Sequence, residues 1–241
     1  MESRRARLDR FIGNHLGISR SDVRPIVASG RVVVDGVVAT RINQLIDQFT
    51  HVVVDNRVVQ AHTPLYLMVN KPAGVVSATL DKRHTTVIDL LDHPQRHSLH
   101  IVGRLDFNSS GLVLLTNDGR WSRQLTSPEQ KIPKRYRVTL ENPIAPDDIE
   151  AYVEAFASGM YFAYEDITTR AAQLRIHSDH VAEVCLIEGR YHQIKRMFGR
   201  FRNKVLGLQR IAIGNLPLDP ALREGQSREL TAAEVQTIFQ L

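Results

Sequence analysis

Val102-Gly103-Arg104-Leu105-Asp106-Phe107-Asn108-Ser109-Ser110-Gly111-Leu112-Val113-Leu114-Leu115-Thr116-Asn117-Asp118-Gly119 is the most informative stretch of this 241-residue chain. A polar loop over 103–111 runs into Leu112–Thr116, an unbroken apolar segment too short for a typical helix. Such a segment reads as a strand buried on both faces. One acid, Asp106, stands in the loop before it. Taken alone, Asp106 reads as a turn cap or a partner of Arg104 ahead of a functional carboxylate. Asp118-Gly119 reads as a turn.

Outward from that strand, elements of both kinds follow without regular alternation. Strands are expected at 65–71, 135–140, 172–176 and 182–187, and helices at 84–93 (Val87, Leu90 and Leu91 apolar), 121–125, 146–158 and 192–202. A last helix over 231–241 opens with Thr231 and has Glu234 three residues on, the spacing of a capping box. The irregular order predicts an α+β fold with a mixed, mostly antiparallel sheet and flanking helices, rather than a doubly wound one. Toward the start, Leu8, Phe11, Ile12 and Leu16 fall on one face of a helix over 4–17, with Gly17 as its stop. A second helix runs from Ser19 or Ser21 to Gly30, and Pro25 sits awkwardly in it. Residues 31–38 form two strands about an Asp35-Gly36 turn, and 50–55 a further strand. Thr63-Pro64 reads as a linker, which divides the chain into 1–62 and 64–241.

Composition narrows the function classes. The chain has 31 Lys and Arg against 26 Asp and Glu, a net charge of +5, and Arg supplies 25 of those bases. Residues 1–63 carry +3 and residues 186–213 carry +6, on either side of a weakly acidic body. Arg concentrated in this way favours a polyanion partner such as nucleic acid. No run of about 20 apolar residues marks a membrane helix, and the N-terminus lacks the apolar core of a secretory signal. The single cysteine, Cys185, excludes an internal disulfide framework and reads as inert packing in a strand. A reducing, cytoplasmic setting is expected. His93, His97 and His100 lack the Cys or grouped carboxylates that would complete a metal site. Phosphate-loop, dinucleotide and serine-hydrolase motifs are absent.

In the N-terminal segment, Arg20, Arg24 and Arg31 stand around one short helix and its exit, a row suited to phosphate contacts. The Ser19-Arg20 pair, Arg24, and the Gly30-Arg31-Val32-Val33-Val34-Asp35-Gly36 exit resemble the S4 RNA-binding domain over roughly residues 5–62. Pro25 departs from that pattern. The resemblance implies structured RNA, not a reaction.

Two more segments join the 102–119 stretch. Pro133-Lys134-Arg135-Tyr136-Arg137-Val138 reads as a strand with an aromatic. Leu186-Ile187-Glu188-Gly189-Arg190-Tyr191-His192-Gln193-Ile194-Lys195-Arg196-Met197-Phe198 reads as a strand end followed by a basic amphipathic helix with Ile194, Met197 and Phe198 in its core. With Asn70-Lys71-Pro72-Ala73-Gly74, these segments in order resemble the pseudouridine synthases that carry an N-terminal S4 domain. Asp118-Gly119-Arg120-Trp121-Ser122 and Tyr191-His192 resemble the small-subunit ribosomal branch. Ile167-Thr168-Thr169-Arg170-Ala171 departs from the family.

The resemblance implies an isomerase that detaches a uracil from its ribose, turns it and rejoins it through carbon. No cofactor or metal is implied. It implies Asp106 as the attacking carboxylate, Lys195 as the cation that keeps it ionised, and Tyr136 as a ring that stacks on the base or moves a proton. It also implies Ile194 as a pocket wall, Arg104 as the side chain that fills the stack the base vacates, and Arg190 as an RNA contact. The implied partner is ribosomal RNA, of the small (16S) subunit or an assembly intermediate, and the expected state is a monomer. The rivals are a large-subunit uridine, a non-catalytic S4-type RNA binder, and a glycosidase that releases uracil.

Overall fold

The computed structural model describes residues 5–240 and divides into two compact units, one through Pro64 that also takes in Asp118–Arg120, the other formed by Leu65–Asn117 and Trp121 onward. Arg4 and Leu241, the outer ends of two expected helices, lie outside the described residues.

The first unit contains β1 (Ala6–Arg7), α1 (Leu8–Leu16), α2 (Arg20–Ala28), β2 (Val32–Val34), β3 (Val37–Val38), β4 (Leu45–Ile46), β5 (Val52–Val54) and β6 (Arg57–Gln60). Helix α1 starts later than expected, because Ala6 and Arg7 pair with β4. It ends at Gly17, whose φ of 69° relieves the last turn. Ser19 caps α2 in a reciprocal box with Asp22, which decides between the two candidate caps, and Pro25 lies inside the helix. Strands β3-β2-β5-β6 form an antiparallel sheet whose first hairpin turns at Asp35 and Gly36, both at positive φ. Leu8, Ile12, Val23, Val27, Val32 and Val52 form its core.

The second unit contains β7 (Tyr66–Lys71), β8 (His100–Val102), β9 (Ser110–Thr116), α3 (Gly119–Thr126) from Trp121 onward, β10 (Lys134–Leu140), α4 (Ile149–Ser158), β11 (Tyr161–Phe162), β12 (Ile167–Thr168), β13 (Gln173–Ser178), β14 (Val181–Leu186), α5 (Gln193–Gly199), β15 (Val205–Ile213), β16 (Leu216–Pro217), β17 (Ser227–Glu229) and α6 (Ala232–Thr237). One sheet runs β13-β14-β10-β15-β9-β7-β17, with β8 against β9 and β16 against β15. Its pairings are antiparallel except β15 with β9, which run parallel where Gln209 and Arg210 meet Ser110 and Gly111. The α+β expectation stands.

Strand β9 is central because both of its faces are apolar. Val113 and Leu115 enter one core with Val69, Tyr136, Val138, Ile194, Met197 and Phe198. Leu112 and Leu114 enter the other with Met68, Val102, Trp121, Leu125 and Ile238. Residues 112–115 are all fully buried, which explains a run without polar alternation.

Three local readings are corrected. Residues 84–93 form turns, not a helix. Thr86 donates its N–H and hydroxyl to the Asp89 carboxylate, both at 2.8 Å, and also bridges Val76. The β-branched run Thr85-Thr86-Val87-Ile88 is poorly suited to a helix, and Pro94 blocks its extension. Asp118-Gly119 is a helix start, with Gly119 opening α3 and the Asp118 carboxylate accepting the Arg120 N–H at 2.9 Å. Helix α5 stops at Gly199 rather than near 202, and Arg202 follows at φ 54°. Thr231 and Glu234 form the expected capping box of α6.

Candidate active site

Asp106 lies in the connection between β8 and β9, two antiparallel strands in register from His100 with Thr116 to Val102 with Leu114. The connection is polar, yet hydrogen bonds fasten it along its length. Ser77 donates its hydroxyl to the Leu105 carbonyl at 2.8 Å and accepts the Leu105 N–H at 3.0 Å. The Gly74 N–H donates to the Phe107 carbonyl at 2.8 Å, and the Ser109 N–H closes a turn onto the Asp106 carbonyl at 3.0 Å.

Arg210 of β15 is 2% exposed and donates to the carbonyls of Leu112 at 2.7 Å and Gly103 at 2.8 Å, with Arg104 at 3.4 Å. Its guanidinium thus ties both ends of the loop to the neighbouring strand. A planar donor fork suits this task where a point charge would not. Neither Arg210 nor Ser77 was legible as a support in the sequence, since their partners lie far away along the chain.

Lys71, at the end of β7, is fully buried and donates to the carbonyls of Pro72 at 2.9 Å and Val75 at 2.8 Å, with Phe107 at 3.4 Å. Burial pushes its ammonium down to about 8; the Asp106 charge acts in the opposite direction. A lysine lowered on folding is destabilising while both states are protonated. That cost fades as pH rises from the folded value to the ordinary one near 10.5. The stability of the parent relative to Lys71→Met is therefore expected to rise between about pH 8 and pH 10.5, by about 3 kcal/mol at most. Denaturant unfolding of both proteins across that range checks it; a flat difference would contradict a buried charged Lys71.

Across from Asp106 stands α5. Ile194, Met197 and Phe198 are at most 3% exposed and anchor it to the core. That anchoring leaves Lys195 with its ammonium 3.9 Å from the Asp106 carboxylate. His192, just before α5, brings Nε2 to 3.6 Å from the same oxygen. Arg104 is not an ion partner of Asp106. The segment entering α5 is pinned by Glu188, which accepts from Gln193 Nε2 at 2.8 Å, Arg190 Nε at 3.0 Å and the Arg170 N–H at 2.8 Å.

Asp106, Arg104, Tyr136, Arg190, His192 and Ile194 line one cavity of about 560 Å³. Tyr136 arrives there from the middle of the sheet, since β10 alternates buried and exposed residues. Lys195 borders a neighbouring groove with Asn108, Arg202 and Lys204. The surroundings are a carboxylate with an ammonium and an imidazole beside it, an aromatic and an apolar wall, which suits a nucleophilic carboxylate facing a flat polar ring. Among the described residues no group of three His, Cys, Asp or Glu converges as a metal site. Burial raises the Cys185 thiol above its ordinary range, in keeping with inert packing.

Several of the basic side chains at 186–213 already have acidic partners or are buried. Arg190 pairs with Glu188, Arg196 pairs with Glu165, Lys204 pairs with Glu141, and Arg210 is buried. Arg20, Arg24 and Arg31 belong to the first unit. Arg20 borders a concavity with Arg5, Arg10 and His15, and Arg24 is exposed. Arg31 makes a bidentate pair with Asp55 at 2.5 and 2.6 Å, so its charge is already met.

A family model described as RNA pseudouridylate synthase matches residues 65–199. Among curated proteins, the chain is 47% identical over 233 residues to a protein of Pseudomonas aeruginosa named ribosomal small subunit pseudouridine synthase A, covering 96% of this chain and 100% of that one. The Escherichia coli K12 protein of the same name is 40% identical over 233 residues, with 96% and 99% covered. A solved structure described as a pseudouridylate synthase is similar at a TM-score of 0.69 and 36% identity, covering 96% of this chain and 99% of that one.

Proposed function

The chain belongs to the RNA pseudouridylate synthase family, and from that premise we propose that it converts one uridine of small-subunit ribosomal RNA to pseudouridine, with Asp106 as the attacking carboxylate. The observation that carries the reading is the placing of Asp106 on a fastened loop, 3.9 Å from Lys195, in one cavity with Tyr136 and Ile194. Isomerisation adds and removes no group, so the carboxylate, its cation and a shaped pocket are what the reaction asks of the protein. Lys195 sets an ammonium beside that carboxylate. Tyr136 and Ile194 offer a stacking face and an apolar wall to a base swung out of its helix, and Arg104 and Arg190 meet the surrounding RNA. The likeness to two small-subunit synthases over nearly the whole chain supports the choice of ribosomal subunit.

We propose further that the first unit is an S4-like RNA-binding domain and that the protein acts as a cytoplasmic monomer. No helix of the described residues is long and apolar enough to cross a membrane. With Arg31 engaged by Asp55, the phosphate contacts fall to Arg20 and Arg24. Replacing both by Ala is expected to weaken RNA binding at any sequence and to flatten the log–log salt slope by about 0.7–0.9 per lost contact. Turnover at saturating RNA changes far less, because the cavity belongs to the second unit. Binding titrations at several salt concentrations, paired with single-turnover rates, check this. An unchanged slope would mean that these arginines only face solvent.

The function itself is tested by incubating the protein with separate small- and large-subunit ribosomal RNA transcripts and mapping pseudouridine in each. One new site in the small-subunit RNA is expected. Conversion only in the large-subunit RNA would move the substrate. Binding without conversion would make the protein a binder, and free uracil would make it a glycosidase.

A further inference from the structure

We propose that Tyr191 is a stacking platform for an unpaired nucleotide joined directly to the target uridine; the proposal rests on the reading of this cavity as a pseudouridine synthase site. Tyr191 stands between β14 and α5 and lines the cavity that holds Asp106. It is 72% exposed, so its ring adds little to the core. One face of that ring lies on the His192 imidazole, with centroids 3.9 Å apart and planes 19° from parallel. The imidazole in turn brings Nε2 to 3.6 Å from the Asp106 carboxylate. The phenol ring is thereby held in one plane, with its opposite face left to solvent.

The chemistry of the substrate asks for such a face. Swinging a uridine out of its stack leaves the nucleotides on its 5′ and 3′ sides each short of one stacking partner. A neighbour that is also unpaired is free to turn its bare face onto an aromatic ring, as bases of single-stranded RNA do. A neighbour held in a base pair stays in its helix. Every base has a π-face, so the ring responds to the neighbour's freedom and not to its identity. The ring is already fixed by His192, so little side-chain freedom is lost when a base arrives.

Position separates Tyr191 from the other aromatics. Its open face lies one ring beyond the imidazole that approaches Asp106, within reach of a nucleotide bonded to the one at Asp106. Tyr136 is buried and faces the base inside the cavity. Phe107 also lines the cavity, but it is less exposed, at 41%, and His84 meets its ring edge-on at 5.1 Å. Tyr164 is exposed at the β11–β12 hairpin and does not line this cavity.

The test compares the parent, Tyr191→Ala and Tyr191→Phe on small-subunit RNA transcripts. The transcripts are intact, or carry an abasic nucleotide on the 5′ or on the 3′ side of the converted uridine. RNA affinity is measured for each pair, with single-turnover rates at saturating RNA. On intact RNA, Tyr191→Ala is expected to bind about 10-fold more weakly, the size of one base–aromatic stack, and Tyr191→Phe to bind as the parent does. One of the two abasic RNAs is expected to bind the parent about 10-fold more weakly than intact RNA, and to bind Tyr191→Ala no more weakly than intact RNA does. A loss on Tyr191→Ala that persists in full on both abasic RNAs would overturn the proposal and make Tyr191 a support for the His192 ring. Unchanged affinity of Tyr191→Ala on intact RNA would overturn it outright. A parent that binds RNA but forms no pseudouridine would overturn the functional reading, and the proposal with it. Failed coupling in a parent that does form pseudouridine would overturn the proposal alone.

Discussion

Asp106→Asn is expected to bind ribosomal RNA as the parent does and to form pseudouridine at least about 10³-fold more slowly, a loss of about 4 kcal/mol in transition-state stabilisation. The substitution is nearly isosteric. It leaves the backbone bond from Ser109 and the carbonyl bonds from Lys71 and Arg210 that hold the loop. What it removes is the negative charge facing Lys195 and His192. An amide is a poor nucleophile, so the defect belongs to the chemical step and not to binding. Single-turnover assays at saturating RNA separate the two. A variant that converts uridine near the parent rate would end the catalytic assignment.

Gly111→Ala is expected to destabilise the second unit by about 3–4 kcal/mol and to abolish most activity in the protein that remains folded. Gly111 opens the parallel pairing of β9 with β15 at φ 101°, a conformation that L side chains rarely adopt. A Cβ there would stand 2.3 Å from the Arg210 carbonyl oxygen and 2.8 Å from its nitrogen. Both contacts are to backbone, so no rotamer change relieves them. The displaced strand carries the Arg210 guanidinium, and with it the fastening of the Asp106 loop. Gly199→Ala is the control, since a Cβ there meets nothing within 4 Å. It is expected to unfold within about 0.5 kcal/mol of the parent. Denaturant midpoints of the two variants check the contrast, and equal midpoints would contradict the close approach at Gly111.

What was legible in the sequence follows from locality. The buried strand β9 announced itself because burial on both faces removes every polar residue from the run. The cap of α6 was legible because a capping box is complete within four residues, whereas that of α2 stood between Ser19 and Ser21 until Asp22 closed the box on Ser19. The segment at 84–93 misled because Val87, Leu90 and Leu91 are apolar for burial's sake while the Thr86–Asp89 turn sets the backbone. Asp106, Tyr136, Ile194 and Lys195 were nameable through motif resemblance; the first three line one cavity, and Lys195 stands 3.9 Å from Asp106 at the groove beside it.

The supports of the site were not nameable. Lys71 and Arg210 act on the carbonyls of a loop that is remote in sequence, and a lone charged residue in a strand gives no sign of such a partner. The +6 balance of 186–213 overstated free positive charge, because its acid partners Glu141 and Glu165 lie outside that window. His192 was visible as part of a motif, but its approach to Asp106 is one that only the folded chain creates.

The proposed conversion of one small-subunit uridine through Asp106 is tested by pseudouridine mapping across all ribosomal RNA from a strain that lacks the protein, complemented with the parent or with Asp106→Asn. The expected result is the loss of one pseudouridine in the small-subunit RNA, restored by the parent and not by the variant. An unchanged map in the deletion strain, or full restoration by Asp106→Asn, would contradict it.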